Sequence, residues 1–293
     1  MKKIISLALV LLMVVSVFAV ASCKKDNKEY VAIDATDLLQ EDFGIAVKKN
    51  DTAMKNAVDE VINEWVASGK MQQYIDYYTD LADYEAGAKD EAPEVGDLKT
   101  SWNFGNGGTI TVYTESGFAP FEFLSGNNII GVDIAIMSEV AERLGKSIDI
   151  QDVVFDTIPQ CVKTATGDAV GAAGLTINDE RKEAVDFSAV YYSSTLVIVS
   201  AKENSYTKLA DLSGLTVGVQ EGTSGDIIST NASSAQGHTY TNADEQEVTL
   251  KVSIGEISRY KQYALAFEDL KNGRIDAIVM DKLPALTMLN LIG

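Results

Sequence analysis

Short strand patterns alternate with helical patterns along most of the chain from residue 109 onward. Apolar or β-branched runs over 109–113, 147–154 and 275–280 predict strands, and runs with helical spacing over 130–144 and 264–271 predict helices. This alternation is typical of α/β proteins whose sheets are mixed or mainly parallel. The chain is also long enough for two packed lobes of ordinary domain size.

The first 23 residues are predicted to direct export. Two lysines precede an apolar run over 4–20, which is shorter than the roughly 20 residues that span a bilayer comfortably. Residues 20–23, with the sequence VASC, resemble the bacterial lipobox, in which the signal is cut before a cysteine that is then acylated. We therefore expect a lipid anchor at Cys23 on the extracytoplasmic face of the cell membrane. An uncleaved anchor, or an ordinary signal with an incidental cysteine, is the alternative.

The composition argues against several classes of protein. A net charge of −19, from 43 acidic and 24 basic residues, leaves no basic patch for nucleic acid. Cys161 is the only other cysteine, so neither a disulfide framework nor a cysteine zinc site is expected. A single histidine, His238, cannot by itself supply a histidine-rich metal site or a catalytic triad. The sequence therefore indicates no metal and no cofactor.

No catalytic motif of the G-x-S-x-G, phosphate-loop or H-E-x-x-H kind occurs, so the chain is not expected to be an enzyme. Instead, four stretches contain residues suited to a zwitterion. In the first, a predicted strand and turn over 174–180 lead to Arg181. A guanidinium binds a carboxylate through two parallel hydrogen bonds. The alternative is a solvated helix arginine paired with Glu180 or Glu183.

The second and third stretches follow predicted strands. Thr223 and Ser224 lie at a helix start, where free N–H groups and hydroxyls can bind an anion; an ordinary N-cap is the alternative. Asp281 ends the strand over 275–280, where open α/β sheets bind ligands, and it can accept hydrogen bonds from an α-ammonium group. Capping of the next helix is the alternative for Asp281.

The fourth stretch is aromatic. Phe118 and Phe155 can sandwich a ligand side chain between their rings, with core packing as the alternative. For Phe121 and Phe123, core packing is the preferred interpretation.

Together these stretches resemble the family 3 solute-binding proteins, the amino-acid receptors of ABC importers. The resemblance covers nearly all of 109–290 and implies a two-lobed periplasmic-binding-protein-like fold (type II) with a cleft between the lobes. It also implies a free amino acid as ligand and an ABC permease as partner, and we expect a monomer. The matching segments are FAPF at 118–121, GVD at 131–133, LTINDER at 175–181, VDFS at 185–188, YY at 191–192, NGRIDA at 272–277 and Asp281.

The resemblance implies that charged residues of opposite lobes hold the ligand. Arg181 binds its α-carboxylate and Asp281 its α-ammonium group, so the ligand favours the closed state. The implied helpers are Thr223 and Ser224 for the carboxylate, and Thr176 and the Gly174 carbonyl for the ammonium group.

The same resemblance implies contacts with the ligand side chain. Phe118 and Phe155 flank it, and Glu115 and Gln220 lie where selectivity is often set. Glu115 favours a cationic or polar amino acid. Two departures from the family pattern are Phe118 in place of the usual tyrosine and Asn178 in place of a common threonine.

The order of the chain differs from the family order. Segments over 29–33, 43–51, 52–67 and 69–81 resemble the family's last section but lie at the front. We therefore predict a circular permutation, with a tandem or misassembled fragment as the rival account. The predicted units are a signal peptide (1–22), a tether (23–28), lobe one (43–82 with 109–199), a permutation linker (83–108) and lobe two (29–42 with 200–293), with hinge crossings near 41–44 and 199–201.

Two other functions stay open. Some proteins of this fold are enzymes, such as prephenate or arogenate dehydratases, that use a cleft carboxylate as general acid or base. Glu115 would be that carboxylate here. A ligand-sensing domain for a signalling module is the remaining class.

Overall fold

The computed structural model of the chain describes residues 29–38, 40–241 and 246–292. The predicted signal peptide, the acylation site at Cys23 and the tether lie outside these residues. No helix in the described ranges combines the length and the apolar character needed to cross a membrane.

The described residues form the predicted α/β fold, in which helices pack against two main sheets. The strands are β1 (Tyr30–Asp34), β2 (Gln40–Phe43), β3 (Ala46–Lys48), β4 (Thr109–Thr114), β5 (Gly117–Phe118), β6 (Glu122–Ser125), β7 (Asn128–Ile130), β8 (Ser147–Asp152), β9 (Asp168–Gly171), β10 (Val185–Phe187), β11 (Tyr192–Ala201), β12 (Thr216–Gln220), β13 (His238–Thr241), β14 (Glu247–Leu250), β15 (Glu256–Tyr260) and β16 (Ala277–Asp281). The helices are α1 (Thr52–Ser68), α2 (Lys70–Glu85), α3 (Val132–Arg143), α4 (Ile158–Thr164), α5 (Asp179–Ala184), α6 (Ser224–Ser233), α7 (Tyr263–Lys271) and α8 (Lys282–Ile292), with 3₁₀ turns at Phe155–Thr157 and Leu209–Leu212.

The first sheet combines strands from distant parts of the chain. Its order is β10-β3-β9-β4-β8. Strand β4 runs parallel to β8 and β9, whereas β3 is antiparallel to both β9 and β10. A strand from the front of the chain therefore lies inside a sheet whose other strands come from 109–187.

The second sheet has the order β1-β11-β16-β12-β15, and β2 pairs with the first half of β11. We call the β2–β11 pair, Gln40–Phe43 with Tyr192–Thr195, the hinge ribbon. The chain crosses between the sheets once through the hinge ribbon to β3. It crosses again between β10 and β11, earlier than the predicted crossing at 199–201.

Both ends of helix α1 are explained by residues of its own sequence. The Asp51 side chain accepts a hydrogen bond from the Met54 backbone, and Gly69 ends the helix in the left-handed conformation. Its buried face carries Trp65, which stacks on Tyr74 of α2 with ring centroids 4.3 Å apart. The buried face is Met54, Val58, Val61, Ile62 and Trp65.

The predicted linker has no helix or strand after α2 ends, but it is attached to the first lobe. Tyr74 donates a hydrogen bond to the Lys99 carbonyl, and Trp102 donates one to Glu139 of α3. The linker thus packs along α2 and α3.

Two elements differ from what the local sequence pattern indicates. The apolar run over 43–47 favours one strand, but the structure has no strand at Gly44 and Ile45, because the chain leaves the hinge ribbon there for the first sheet. The polar run over 231–246 favours a surface loop, but β13 within it pairs antiparallel with β14. The apolar residues of β14, Val248 and Leu250, lie beyond that run, so the run itself contains little of the apolar alternation that normally indicates a strand.

Candidate functional site

Arg181 lies at the boundary between the two lobes. The Asn178 side chain accepts a hydrogen bond from the Arg181 backbone N–H at 2.8 Å and caps α5. The guanidinium donates to the Thr176 carbonyl at 2.8 Å and to the Gly222 carbonyl, which follows β12, at 3.0 Å. Its Cζ atom lies 5.3 Å from the Phe155 ring centroid. Arg181 therefore joins both lobes.

The guanidinium is buried without a charged partner. Arg181 is 8% exposed, and among the described residues no carboxylate oxygen lies within 4.0 Å of its nitrogens. Burial lowers the pKa of Arg181 to about 10, against the charges of Glu41, Asp281 and Glu180. The structure thus differs from the alternative of a solvated arginine paired with Glu180 or Glu183. A buried cation of this kind is stabilised by an anion.

The start of α6 supplies hydroxyl groups opposite Arg181. Thr223 caps the helix by accepting from the Asp226 N–H at 3.4 Å, and its hydroxyl donates to the Gln220 carbonyl at 2.7 Å. Ser224 Oγ donates across the cleft to Thr176 Oγ1 at 3.1 Å. The Thr223 side chain therefore acts as an N-cap, and the Ser224 side chain points to the opposite lobe.

Asp281 ends β16 beneath this group. Its Oδ1 atom is buried and has no hydrogen-bond partner in the described part of the chain. The Ser194 hydroxyl of the hinge ribbon lies beside the same carboxylate and opposes the rise in its pKa. Burial first, and then the charge of Glu41, raise the pKa of Asp281. Asp281 is thus an acceptor that a cationic group would satisfy.

Glu41 belongs to the same group, although the sequence analysis did not select it. Backbone bonds from Ile177 to Asp42 and from Gly44 to Leu175 hold the hinge ribbon against the turn before α5. Thr176 Oγ1 donates to Glu41 Oε2 at 3.2 Å and accepts from Ser224 Oγ, so the Ser224 hydroxyl lies beside the same carboxylate. Burial raises the pKa of Glu41 against these bonds and the charge of Arg181.

A second polar cluster joins the lobes near the end of β4. Gln220 Nε2 donates to Glu115 Oε2 at 3.1 Å, and Gln262 Nε2 donates to Glu115 Oε1 at 2.8 Å. Burial raises the pKa of Glu115 against these two bonds. The two residues predicted to set selectivity are therefore in contact, and Gln262 is an addition that the sequence analysis missed.

The two predicted aromatic residues lie in different surroundings. The Phe118 ring packs on Gly174. A Cβ atom at Gly174 would lie 2.6 Å from this ring, and the φ of +54° is also one that side-chain-bearing residues rarely adopt. The Phe118 ring also stacks with Tyr263 of α7, with centroids 6.4 Å apart. Phe155 instead lies beneath Arg181. No ring contact between Phe118 and Phe155 occurs within the described ranges.

Cavities adjoin the Arg181 group on both sides. One of about 480 Å³ is lined by Glu41, Thr176 and Ser224, together with side chains of α5, α6 and β13. Another of about 320 Å³ is lined by Phe155, Arg181 and the Gly222 turn. The polar group therefore lies between two spaces at the edge of the cleft.

Comparison with known proteins identifies relatives of this arrangement. Residues 110–278 match the model of the bacterial extracellular solute-binding proteins, family 3. The arginine-binding extracellular protein ArtP of Bacillus subtilis (strain 168) is 40% identical over 109 residues, which are 37% of this chain and 42% of that protein. The chain thus matches less than half of the length of this relative.

Two further similarities cover more of the chain. The ABC transporter arginine-binding protein 1 of Escherichia coli (strain K12) is 30% identical over 187 residues, which are 63% of this chain and 68% of that protein. The solved arginine-bound form of truncated ArgBP from T. maritima is 34% identical, with a TM-score of 0.51, over 62% of this chain and 77% of that one.

Proposed function

Since this chain belongs to the bacterial extracellular solute-binding proteins of family 3, we propose that it binds a free amino acid between its lobes and presents it to an ABC importer. Relatives named as arginine-binding proteins support this proposal.

One observation carries the proposal. Arg181 is a buried cation whose hydrogen bonds go to neutral carbonyl groups, and Asp281 is a buried carboxyl group with an unpartnered oxygen. Burying an unpaired charge costs several kcal/mol, about 3–5 kcal/mol when one partner of a buried pair is lost. The carboxylate group of an α-amino acid would pair with Arg181, and its ammonium group would pair with Asp281.

The remaining site residues assist this binding. The Ser224 hydroxyl donates to the ligand carboxylate, and the Gly174 carbonyl accepts from the ammonium group. The family resemblance implies that Thr176 helps to bind the ammonium group, but we reassign it to the carboxylate because its hydroxyl already donates to the Glu41 carboxylate at 3.2 Å. Thr223 acts by capping α6, which places Ser224 opposite Arg181.

The side chain of the ligand is proposed to be cationic, with arginine as the first candidate. Glu115 is a buried carboxylate that accepts hydrogen bonds from two amide side chains. A guanidinium group has donors for this carboxylate and for the amide oxygens of Gln220 and Gln262. Because both oxygens of Glu115 already accept hydrogen bonds from amides, we assign it to ligand binding rather than to proton transfer.

The location and chain order follow from the same family. We propose that Cys23 is acylated and tethers the protein to the extracytoplasmic face of the membrane. We also propose that the chain is a circular permutation of the family order. Strand β3, from the front of the chain, lies between β9 and β10 and supports this proposal.

A thermal-shift screen of the twenty amino acids tests the proposal. A ligand at 100 times its Kd stabilises the folded protein by about 2.7 kcal/mol, so the true ligand raises the melting temperature clearly. We expect arginine to give the largest shift. A screen in which no amino acid shifts the transition would reject the proposal.

A further inference from the structure

The Glu41 side chain lies next to residues of both lobes. Glu41 belongs to the hinge ribbon, and its carboxylate contacts the Thr176 hydroxyl of the first lobe and the Ser224 hydroxyl of the second. The strand exposes Gln40 and Asp42 and turns Glu41 and Phe43 inward. The inward direction of Glu41 is therefore set by the alternation of the strand.

The groups around Glu41 are those that suit an anion. The Thr176 hydroxyl donates to it, the Ser224 hydroxyl lies beside it, and the positive charge of Arg181 attracts it. An ammonium site would instead present acceptors. Arg181, Thr176 and Ser224 are also the groups to which the proposed function assigns the ligand carboxylate.

We propose that Glu41 is an internal competitor for the carboxylate site, a glutamate that joins the two lobes and must release Thr176 and Ser224 when an amino acid binds. This inference rests on the proposed function, because it takes the carboxylate site from it. Two carboxylates cannot share the same two hydroxyls and one guanidinium without strong repulsion. The affinity for the ligand is therefore lower than the site would give without Glu41.

The hinge ribbon also links Glu41 to Asp281, the proposed acceptor for the ammonium group. Glu41 pairs with Ser194 across the hinge ribbon, and the Ser194 hydroxyl lies beside the Asp281 carboxylate. Release of Glu41 thus takes place on the element that also supports the ammonium acceptor.

The test compares the full-length protein with Glu41→Gln, Glu41→Ala and the control Asp42→Asn. Asp42 is the neighbouring exposed carboxylate of β2, and its side chain accepts from Ser193 outside the carboxylate site. Calorimetric titration with L-arginine gives the Kd, and small-angle X-ray scattering without added amino acid gives the radius of gyration.

We expect Glu41→Gln to bind arginine about tenfold more tightly, within the range of roughly 5- to 150-fold that is typical of coupling between sites. Glu41→Ala, which removes the acceptor, should have a larger radius of gyration than the wild type because a link between the lobes is lost. Asp42→Asn should match the wild type in both measurements.

Two results would overturn the inference. Weaker arginine binding by Glu41→Gln would show that Glu41 holds the ligand, and an unchanged radius of gyration in Glu41→Ala would show that it does not join the lobes. Failure of the proposed function is distinct, since it appears as no amino acid binding to the wild type. The scattering comparison still decides the role of Glu41 in that case.

Discussion

Gln262 Nε2 donates a hydrogen bond to Glu115 Oε1 at 2.8 Å, and this bond joins the start of α7 to the end of β4. Gln220, at the end of β12, donates to the other oxygen of the same carboxylate. The buried carboxylate provides hydrogen-bond acceptors, and the two amide groups provide both donors and acceptors. The cluster therefore suits a ligand side chain that carries several N–H groups.

Replacing Glu115 tests the proposed cationic side chain. Glu115→Gln removes the charge and retains the size, so the Kd for arginine should rise roughly 10- to 150-fold, as expected for losing a hydrogen bond to a charged group worth about 1.5–3 kcal/mol. Glutamine affinity should change little. Glu221→Gln, at the exposed partner of Lys261, is the control. Equal effects on arginine and glutamine would contradict the assignment.

Phe155 is expected to stabilise the Arg181 guanidinium group through a cation–π contact. Its ring centroid lies 5.3 Å from the guanidinium carbon, and such a cation–π contact contributes about 0.5–2 kcal/mol. Phe155→Leu should therefore weaken arginine binding by roughly 2- to 30-fold in calorimetry. Phe104→Leu, at a ring that is 44% exposed, should leave the Kd unchanged. If both variants bind like the wild type, the contact has no role in binding.

The buried Asp133 should make stability depend on pH. Its Oδ2 atom accepts from the Gly174 N–H at 3.0 Å, and burial raises the pKa of Asp133 from 3.8 to about 7. The folded state thus favours the protonated acid. Its contribution to stability is complete below pH 3.8 and is lost as the pH rises toward 7, a change of up to about 4 kcal/mol.

Urea unfolding at pH 4.5 and 7.5 measures this effect as the difference between the wild type and Asp133→Asn. The comparison is needed because burial also raises the pKa of the neighbouring Glu122. The wild type should lose free energy of unfolding relative to the variant as the pH rises. A difference that grows in favour of the wild type would have the wrong sign for this explanation.

The chain order can be tested by restoring the family order. Helix α8 packs against β1, and a helix of 11 residues is about 16 Å long. A flexible linker of about 15 residues has a root-mean-square reach of about 21 Å, so it can join residue 292 to residue 29. A chain reopened between Glu91 and Ala92 should fold and bind arginine within about threefold of the original. Loss of folding would contradict the permutation.

The sequence predicted the long elements and the family, and the structure and comparisons confirm both. Helix α1 carries its cap at Asp51 and its stop at Gly69, so its limits follow from local chemistry. The hinge ribbon depends on pairing between Gln40–Phe43 and Tyr192–Thr195, which are distant in the chain. Local patterns do not contain that pairing, and this is why the predicted crossing at 199–201 lies too late.

Local sequence patterns likewise predict only part of the candidate site. Arg181 and Asp281 stand in motifs that indicate a charged group at a strand or helix end, and in the structure the two charges are close enough to affect each other's pKa. Glu41 and Gln262 have no such motif. Alternation over 40–43 was the available signal, since it turns Glu41 toward the same side as the buried Phe43.

Calorimetric titration of arginine into the wild type, Arg181→Ala and Arg274→Ala tests the central claim most directly. Arg274 is an exposed arginine paired with Asp269, so it is a matched control. We expect Arg181→Ala to lose about 3–5 kcal/mol of binding free energy, or roughly two to three and a half decades in Kd, and Arg274→Ala to bind like the wild type. An Arg181→Ala protein that binds arginine with unchanged affinity would contradict the claim that this buried guanidinium holds the ligand's carboxylate.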